Sequence, residues 1–115
     1  MVVKDVIEKP EVVLYRNAEK QWEHNPDSAR YSLRRIIESF SQSDLSVSAA
    51  YSLGFQYDQL AEIDSAMKYY SWIQEYYPNS DQAVPAKDRL TALQLAVLKI
   101  SPDTTAIEPK NRIEN

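Results

Sequence analysis

The sequence predicts an all-α fold in which two helical hairpins stack and a fifth helix closes the stack. Three observations carry that prediction. Asp27-Ser28-Ala29 through Ser43-Asp44 realigns without a gap onto Asp64-Ser65-Ala66 through Ser80-Asp81. The offset is 37 residues, from Asp27 to Asp64, and it pairs Ile36 with Ile73, Glu38 with Glu75 and Phe40 with Tyr77. Apolar residues recur at spacings of three and four in five successive segments, the periodicity of helices buried on one face. Finally, one glycine against six prolines leaves little of the turn chemistry that sandwiches and phosphate-cradling loops need.

Each element follows from local chemistry. Residues 1–10 are a short lead-in closed by Pro10. Glu11 to His24 reads as a helix on the stripe Leu14, Ala18 and Trp22. Asn25-Pro26-Asp27 ends it and starts the next, with Asn or Asp as cap and Pro in the first turn. The second helix, 27–40, is expected to bury Ala29, Leu33, Ile36, Ile37 and Phe40, and Ser41–Asp44 supplies a turn with a cap. The third, 45–60, sets Ala49, Ala50, Leu53, Tyr57 and Leu60 on one face. Its Gly54 costs up to ~1 kcal/mol of helix propensity, which a close helix–helix approach would offset. The fourth, 63–77, is built on Ala66, Tyr70, Ile73 and Tyr77 and stopped by Pro78-Asn79-Ser80. The fifth, 82–99, carries Ala86, Leu90, Leu93 and Val97, with Pro85 confined to its first turn. Residues 101–115 are polar with two prolines and are expected to be a disordered tail. The helical domain is thus 11–99, with hairpins 11–40 and 45–77 and a closing helix 82–99.

Composition narrows the function classes. A chain of 115 residues with 43% apolar content suits one domain with a modest core. The net charge of −4 is spread along the chain, so no strong field points at nucleic acid or anionic lipid. Arg30, Arg34 and Arg35 cluster on one helix and read as a solvated face. The absence of cysteine excludes disulfides and thiolate zinc sites and leaves the redox compartment open. No apolar run approaches the ~20 residues of a membrane span, so direct membrane insertion is not expected. Met1-Val2-Val3-Lys4 lacks the apolar core of a signal peptide. The abrupt start and polar end raise the expectation of a piece cut from a longer repeat protein.

Catalytic options are thin. His24, the single histidine, lies near Glu19 and Glu23, which raises a metal-binding helical bundle as a third reading. Its place at a helix end beside Asn-Pro suits a C-terminal capping residue better, and Gln21 stands where a di-iron Glu-x2-His motif needs Glu. A lone histidine gives no triad. No catalytic residue, cofactor or metal is expected, and the chain is read as a non-enzyme.

Leu53, Gly54 and Tyr57, then Ala66, Tyr70 and Pro78, keep the spacing L-G-x2-Y…A-x3-F…P, with Tyr70 in place of Phe. On these residues the chain resembles the tetratricopeptide repeat (TPR) superfamily over about residues 11–99. The second repeat matches well, and the first matches mainly in its second helix. Two departures stand out: Ala50 occupies a position where the family often has Trp, and the offset is 37 rather than about 34. Tyr77-Pro78-Asn79-Ser80 followed by Ala83, Ala86 and Leu90 is similar to bacterial envelope TPR proteins. The resemblance implies a right-handed superhelical α-solenoid. It also implies a scaffold or assembly factor that binds a peptide or protein partner in a concave groove lined by the first helix of each hairpin. As to compartment, it implies the bacterial periplasm or envelope if the chain belongs to a longer secreted protein or lipoprotein, and the cytoplasm otherwise.

Within that geometry Tyr51, Phe55 and Asp58 point away from the Ala49–Leu53–Tyr57 stripe. Aligning Leu14-Ala18-Trp22 with that stripe brings Arg16 and Lys20 beside Tyr51 and Phe55, and the fifth helix adds Asp88 and Ala92. Arg16, Lys20, Tyr51, Phe55, Asp58 and Asp88 therefore form the candidate groove, suited to an extended peptide with an acidic group and an apolar side chain. The alternative is that Tyr51 and Phe55 pack on neighbouring hairpins. Because they occupy places where chaperone-tail-binding TPRs are expected to carry polar clamp residues, that ligand class is set aside. A second patch, Tyr69, Trp72 and Tyr76, aligns with Ser32, Arg35 and Ser39. It is either an interface or a surface packed on the closing helix or a folded-back terminus. Leu95 and Leu98 lie off the stripe of the closing helix and point to a following repeat, a dimer contact or a docked tail. Two functions follow: a non-catalytic protein-binding module, or a structural and oligomerisation slice of a longer solenoid with no groove ligand of its own.

Overall fold

The computed structural model describes residues 8–98, in which five helices and no strand occur. They are α1 (Pro10–Gln21), α2 (Pro26–Ser39), α3 (Asp44–Gln59), α4 (Ile63–Tyr76) and α5 (Ala83–Val97). The tail 101–115 and residues 1–7 of the expected lead-in lie outside the described residues. Each helix packs against the next along the chain, and α1 also touches α3.

The helix boundaries obey the chemistry that predicts them. Pro10 opens α1 rather than closing the lead-in, because its fixed φ and missing N–H suit the first helical turn. α1 ends at Gln21, earlier than expected, where Gln21 O accepts from the backbone N–H groups of His24 (3.1 Å) and Asn25 (2.7 Å). Asn25 caps α2, its Oδ1 accepting from the Ser28 N–H at 3.2 Å. Ser43 caps α3, its Oγ accepting from the Leu45 N–H at 3.1 Å.

The 37-residue offset is written into the backbone. α2 and α4 begin and end at equivalent positions. Their C-caps share one conformation, φ −133°, ψ 43° at Phe40 and φ −138°, ψ 55° at Tyr77. The Phe40 N–H donates to Ile36 O and the Tyr77 N–H to Ile73 O, both at 2.8 Å. Ser43 N–H to Phe40 O (2.9 Å) is matched by Ser80 N–H to Tyr77 O (3.1 Å). Among the described residues the chain is thus repeat-like in its hydrogen bonding as well as in its letters.

α3 ends differently. Ala61 has φ 60°. Its N–H donates to Asp58 O (3.0 Å) while the Glu62 N–H reaches back to Tyr57 O (2.9 Å). This is a Schellman ending with alanine at the left-handed position that glycine usually takes.

The core has two layers. Ala18, Ala29, Leu33, Ile36, Ala49, Leu53 and Tyr69 join α1 through α4, and Val47, Ala50, Ala66, Tyr70, Ile73, Ala83, Ala86 and Leu93 join α3 through α5. Ile37 and Tyr57 pack against both layers. A fully buried leucine or isoleucine such as Leu33 or Ile73 contributes ~1.5–3 kcal/mol. Gly54 sits where the two hairpin helices approach: a Cβ there would lie 2.7 Å from Tyr70 Cε1. The expected close contact is therefore present.

Three expectations are corrected. Leu60 and Val97 are exposed rather than buried, because each stands at the last residue or cap of its helix with no neighbour over it. The Arg30–Arg34–Arg35 cluster is only partly solvated. Arg30 stacks over the Tyr57 ring (5.8 Å to the centroid) and Arg34 Nη1 donates to Tyr57 Oη (3.3 Å), which leaves Arg35 as the exposed member.

Candidate functional site

The groove residues divide into a structural node and a free edge. Asp58 belongs to the node. Arg89 Nε and Nη2 donate to its two oxygens at 2.8 and 2.9 Å, and Tyr70 Oη donates to Oδ2 at 3.2 Å. The Arg89 guanidinium holds the Asp58 carboxyl below its ordinary range, and the Tyr70 hydrogen bond adds to this effect. Burial, and then the charge of Asp58, push the Tyr70 phenol upward, so it stays a donor. With both oxygens engaged and its side chain only 10% exposed, Asp58 ties α3 to α4 and α5. The expectation of a groove carboxylate open to a partner is corrected accordingly.

Tyr51 is half-buried with its ring 5.9 Å from that of Tyr70, so it packs on its own hairpin. Phe55, one turn on, is 46% exposed. Lys20 on α1 and Asp88 on α5 are exposed as well. Arg16 is half-buried and bonds the Glu8 carboxylate, so its guanidinium is turned to the segment before α1. The accessible members of the set are Lys20, Phe55 and Asp88.

The second patch is rearranged. Tyr69 is buried at 7% exposure, stacked at 8° on Tyr57 with centroids 6.0 Å apart, and packed among residues of α2 and α3. It is a core residue, and the helix it packs toward is α2 rather than α5. Trp72 is half-buried and Tyr76 is exposed. Their rings lie 5.4 Å apart, and the Tyr77 ring stands 5.5 Å from that of Trp72. Tyr77 Oη donates to Ser41 O, which joins the α4–α5 turn to the α2–α3 turn. The surface aromatic group is thus Trp72, Tyr76 and Tyr77.

Sequence reasoning missed Arg89, which lies 31 residues from Asp58 and has no local signal toward it. It also missed Val84, which with Val97 and Leu98 leaves α5 with exposed apolar side chains, whereas Leu95 is half-buried.

Among the described residues no helix is long and apolar enough to cross a membrane. No family model, curated protein or solved structure matches the chain. What the geometry defines is an all-α protein of repeat-like, sequentially packed helices.

Proposed function

We propose that the chain is a TPR-like α-solenoid module, right-handed in its stacking and without catalysis, that mediates protein–protein interaction. It holds a peptide or partner segment along the face formed by α1, α3 and α5, as a scaffold or assembly factor. The observation that carries this reading is Phe55, a large apolar ring 46% exposed on α3, with exposed Lys20 on α1 and exposed Asp88 on α5. An aromatic anchor on α3, with a cation on α1 and an anion on α5, suits a segment that carries one apolar side chain together with an acidic and a basic group.

The test is a peptide-display selection on the immobilised full chain, with Phe55→Ser/Lys20→Glu as the counter-target. Selected peptides should bind the double variant at least roughly tenfold more weakly at unchanged helicity. Peptides that bind both proteins equally would remove this face from the account.

A second reading is a structural slice of a longer solenoid, favoured by the exposed Val84, Val97 and Leu98 of α5. Light scattering across a dilution series separates the two. A strict monomer at high concentration counts against self-association through this helix.

A further inference from the structure

Three open clefts adjoin one another along α4. The first, about 280 Å³, is lined by Arg34, Glu38, Lys68 and Trp72. The second, about 450 Å³, lies between Trp72, Tyr76 and Tyr77 against Ser41 and Gln42. The third, about 430 Å³, continues past Tyr76 and Tyr77 to Asp44 and Gln82. Trp72 is the wall shared by the first pair, and Tyr76 with Tyr77 the wall shared by the second.

Three features restrict what fits. The walls are aromatic rings in mutual contact, Trp72 with Tyr76 at 5.4 Å and with Tyr77 at 5.5 Å between centroids, tilted at 47° and 36°, which makes a ridged cluster rather than a flat stacking platform. Tyr77 is pinned by its hydrogen bond to Ser41 O, so that wall is preformed. The charges are polar along the strip: Arg34 and Lys68 outnumber Glu38 at one end, and Asp44 is the charged residue lining the other. Nor does the repeat demand Trp72 and Tyr76, because the equivalent positions in α2, Arg35 and Ser39, support the same backbone with polar side chains, whereas Tyr77 keeps an aromatic equivalent in Phe40.

We propose that this strip binds a proline-rich segment in the polyproline II conformation, with an acidic residue lying at the Arg34–Lys68 end and a basic residue at the Asp44 end. Such a segment is stiff before binding, presents pyrrolidine rings that pack against aromatic-lined clefts, and leaves its carbonyls free for donors such as the Gln42 amide. The eight residues from Lys68 to Tyr76 rise ~12 Å along α4. At ~3.1 Å per residue, an acid and a base five residues apart span about 16 Å, enough to reach past both walls. The site includes none of Lys20, Phe55 and Asp88, and its failure would leave that reading untouched.

The probe is the synthetic peptide Glu-Pro-Leu-Pro-Pro-Arg, titrated into the full chain carrying Trp22→Phe so that Trp72 reports alone. A saturable one-site change in Trp72 emission is expected. Tyr76→Ala, at a mostly exposed residue, should weaken it roughly tenfold. Reversing the terminal charges of the peptide should weaken it roughly threefold or more, and Lys68→Glu should invert that preference. No saturable change up to the solubility limit, equal affinity for both charge orders, or an unchanged affinity in Tyr76→Ala would overturn the proposal. So would saturation by cellohexaose in place of the peptide, which would mean that the rings stack sugars.

Discussion

Gly54 and Tyr70 are in direct contact: a Cβ at position 54 would meet the Tyr70 ring at 2.7 Å to Cε1 and 2.9 Å to Cδ1. Tyr70 cannot easily yield, since it is fully buried and its hydroxyl is bonded to Asp58. Gly54→Ala gains ~1 kcal/mol of helix propensity but overpacks the hairpin, which costs ~1–3 kcal/mol. The expected net result is destabilisation by about 1 kcal/mol, read from denaturant unfolding. In a Tyr70→Leu background, where the colliding ring atoms are gone, the same substitution should become neutral or stabilising. Additive effects of the two changes would contradict the contact.

At Ala61 the opposite sign is expected. A residue with a Cβ at φ 60° pays ~1–2 kcal/mol for the left-handed conformation, while glycine adds ~0.4–1 kcal/mol of unfolded-chain entropy. Ala61→Gly should stabilise by about 0.5–1 kcal/mol and raise Tm by about 2–6 °C. A lower Tm would show that the turn is not held as described.

The Asp58–Arg89 pair gives an acid-limb prediction. Its carboxyl titrates below the ordinary 3.8 in the folded chain. The stabilisation is therefore complete above the unfolded value and is lost as pH falls through the lowered folded one. Arg89 is half exposed, so solvent screening keeps the pair to roughly 1 kcal/mol. Asp58→Asn should lose about that much at pH 7 and show a flatter stability profile between about pH 5 and pH 2. An unchanged profile would mean that the pair does not form in solution.

Tyr69 and Tyr76 lie on the same helix but have opposite environments. Tyr69→Ala should cost ~3–5 kcal/mol, as for a large core truncation, and Tyr76→Ala no more than ~0.5 kcal/mol. Comparable losses at both sites would contradict the burial difference.

That pair also marks what could be read in advance. The helices were legible because caps, prolines and an ungapped offset act locally, and Gly54 announced its close contact. At Tyr69 the alternatives of interface and packed surface stayed open, because a polar equivalent does not by itself mean exposure. Ser32, its equivalent in α2, is itself buried at 8%, since a serine is small enough to sit under a neighbouring helix. Asp58 was expected as an open groove carboxylate, but Arg89 occupies both its oxygens. Pairings across 31 residues, such as Asp58–Arg89, depend on how helices dock and leave no trace in spacing.

The central claim is that a partner segment lies along α1, α3 and α5. Amide chemical-shift mapping of the full chain with a display-selected peptide tests it directly. Perturbations are expected to centre on Lys20, Phe55 and Asp88 and to be lost in Phe55→Ser. Perturbations confined to α2 and α4, or persisting undiminished in Phe55→Ser, would contradict it.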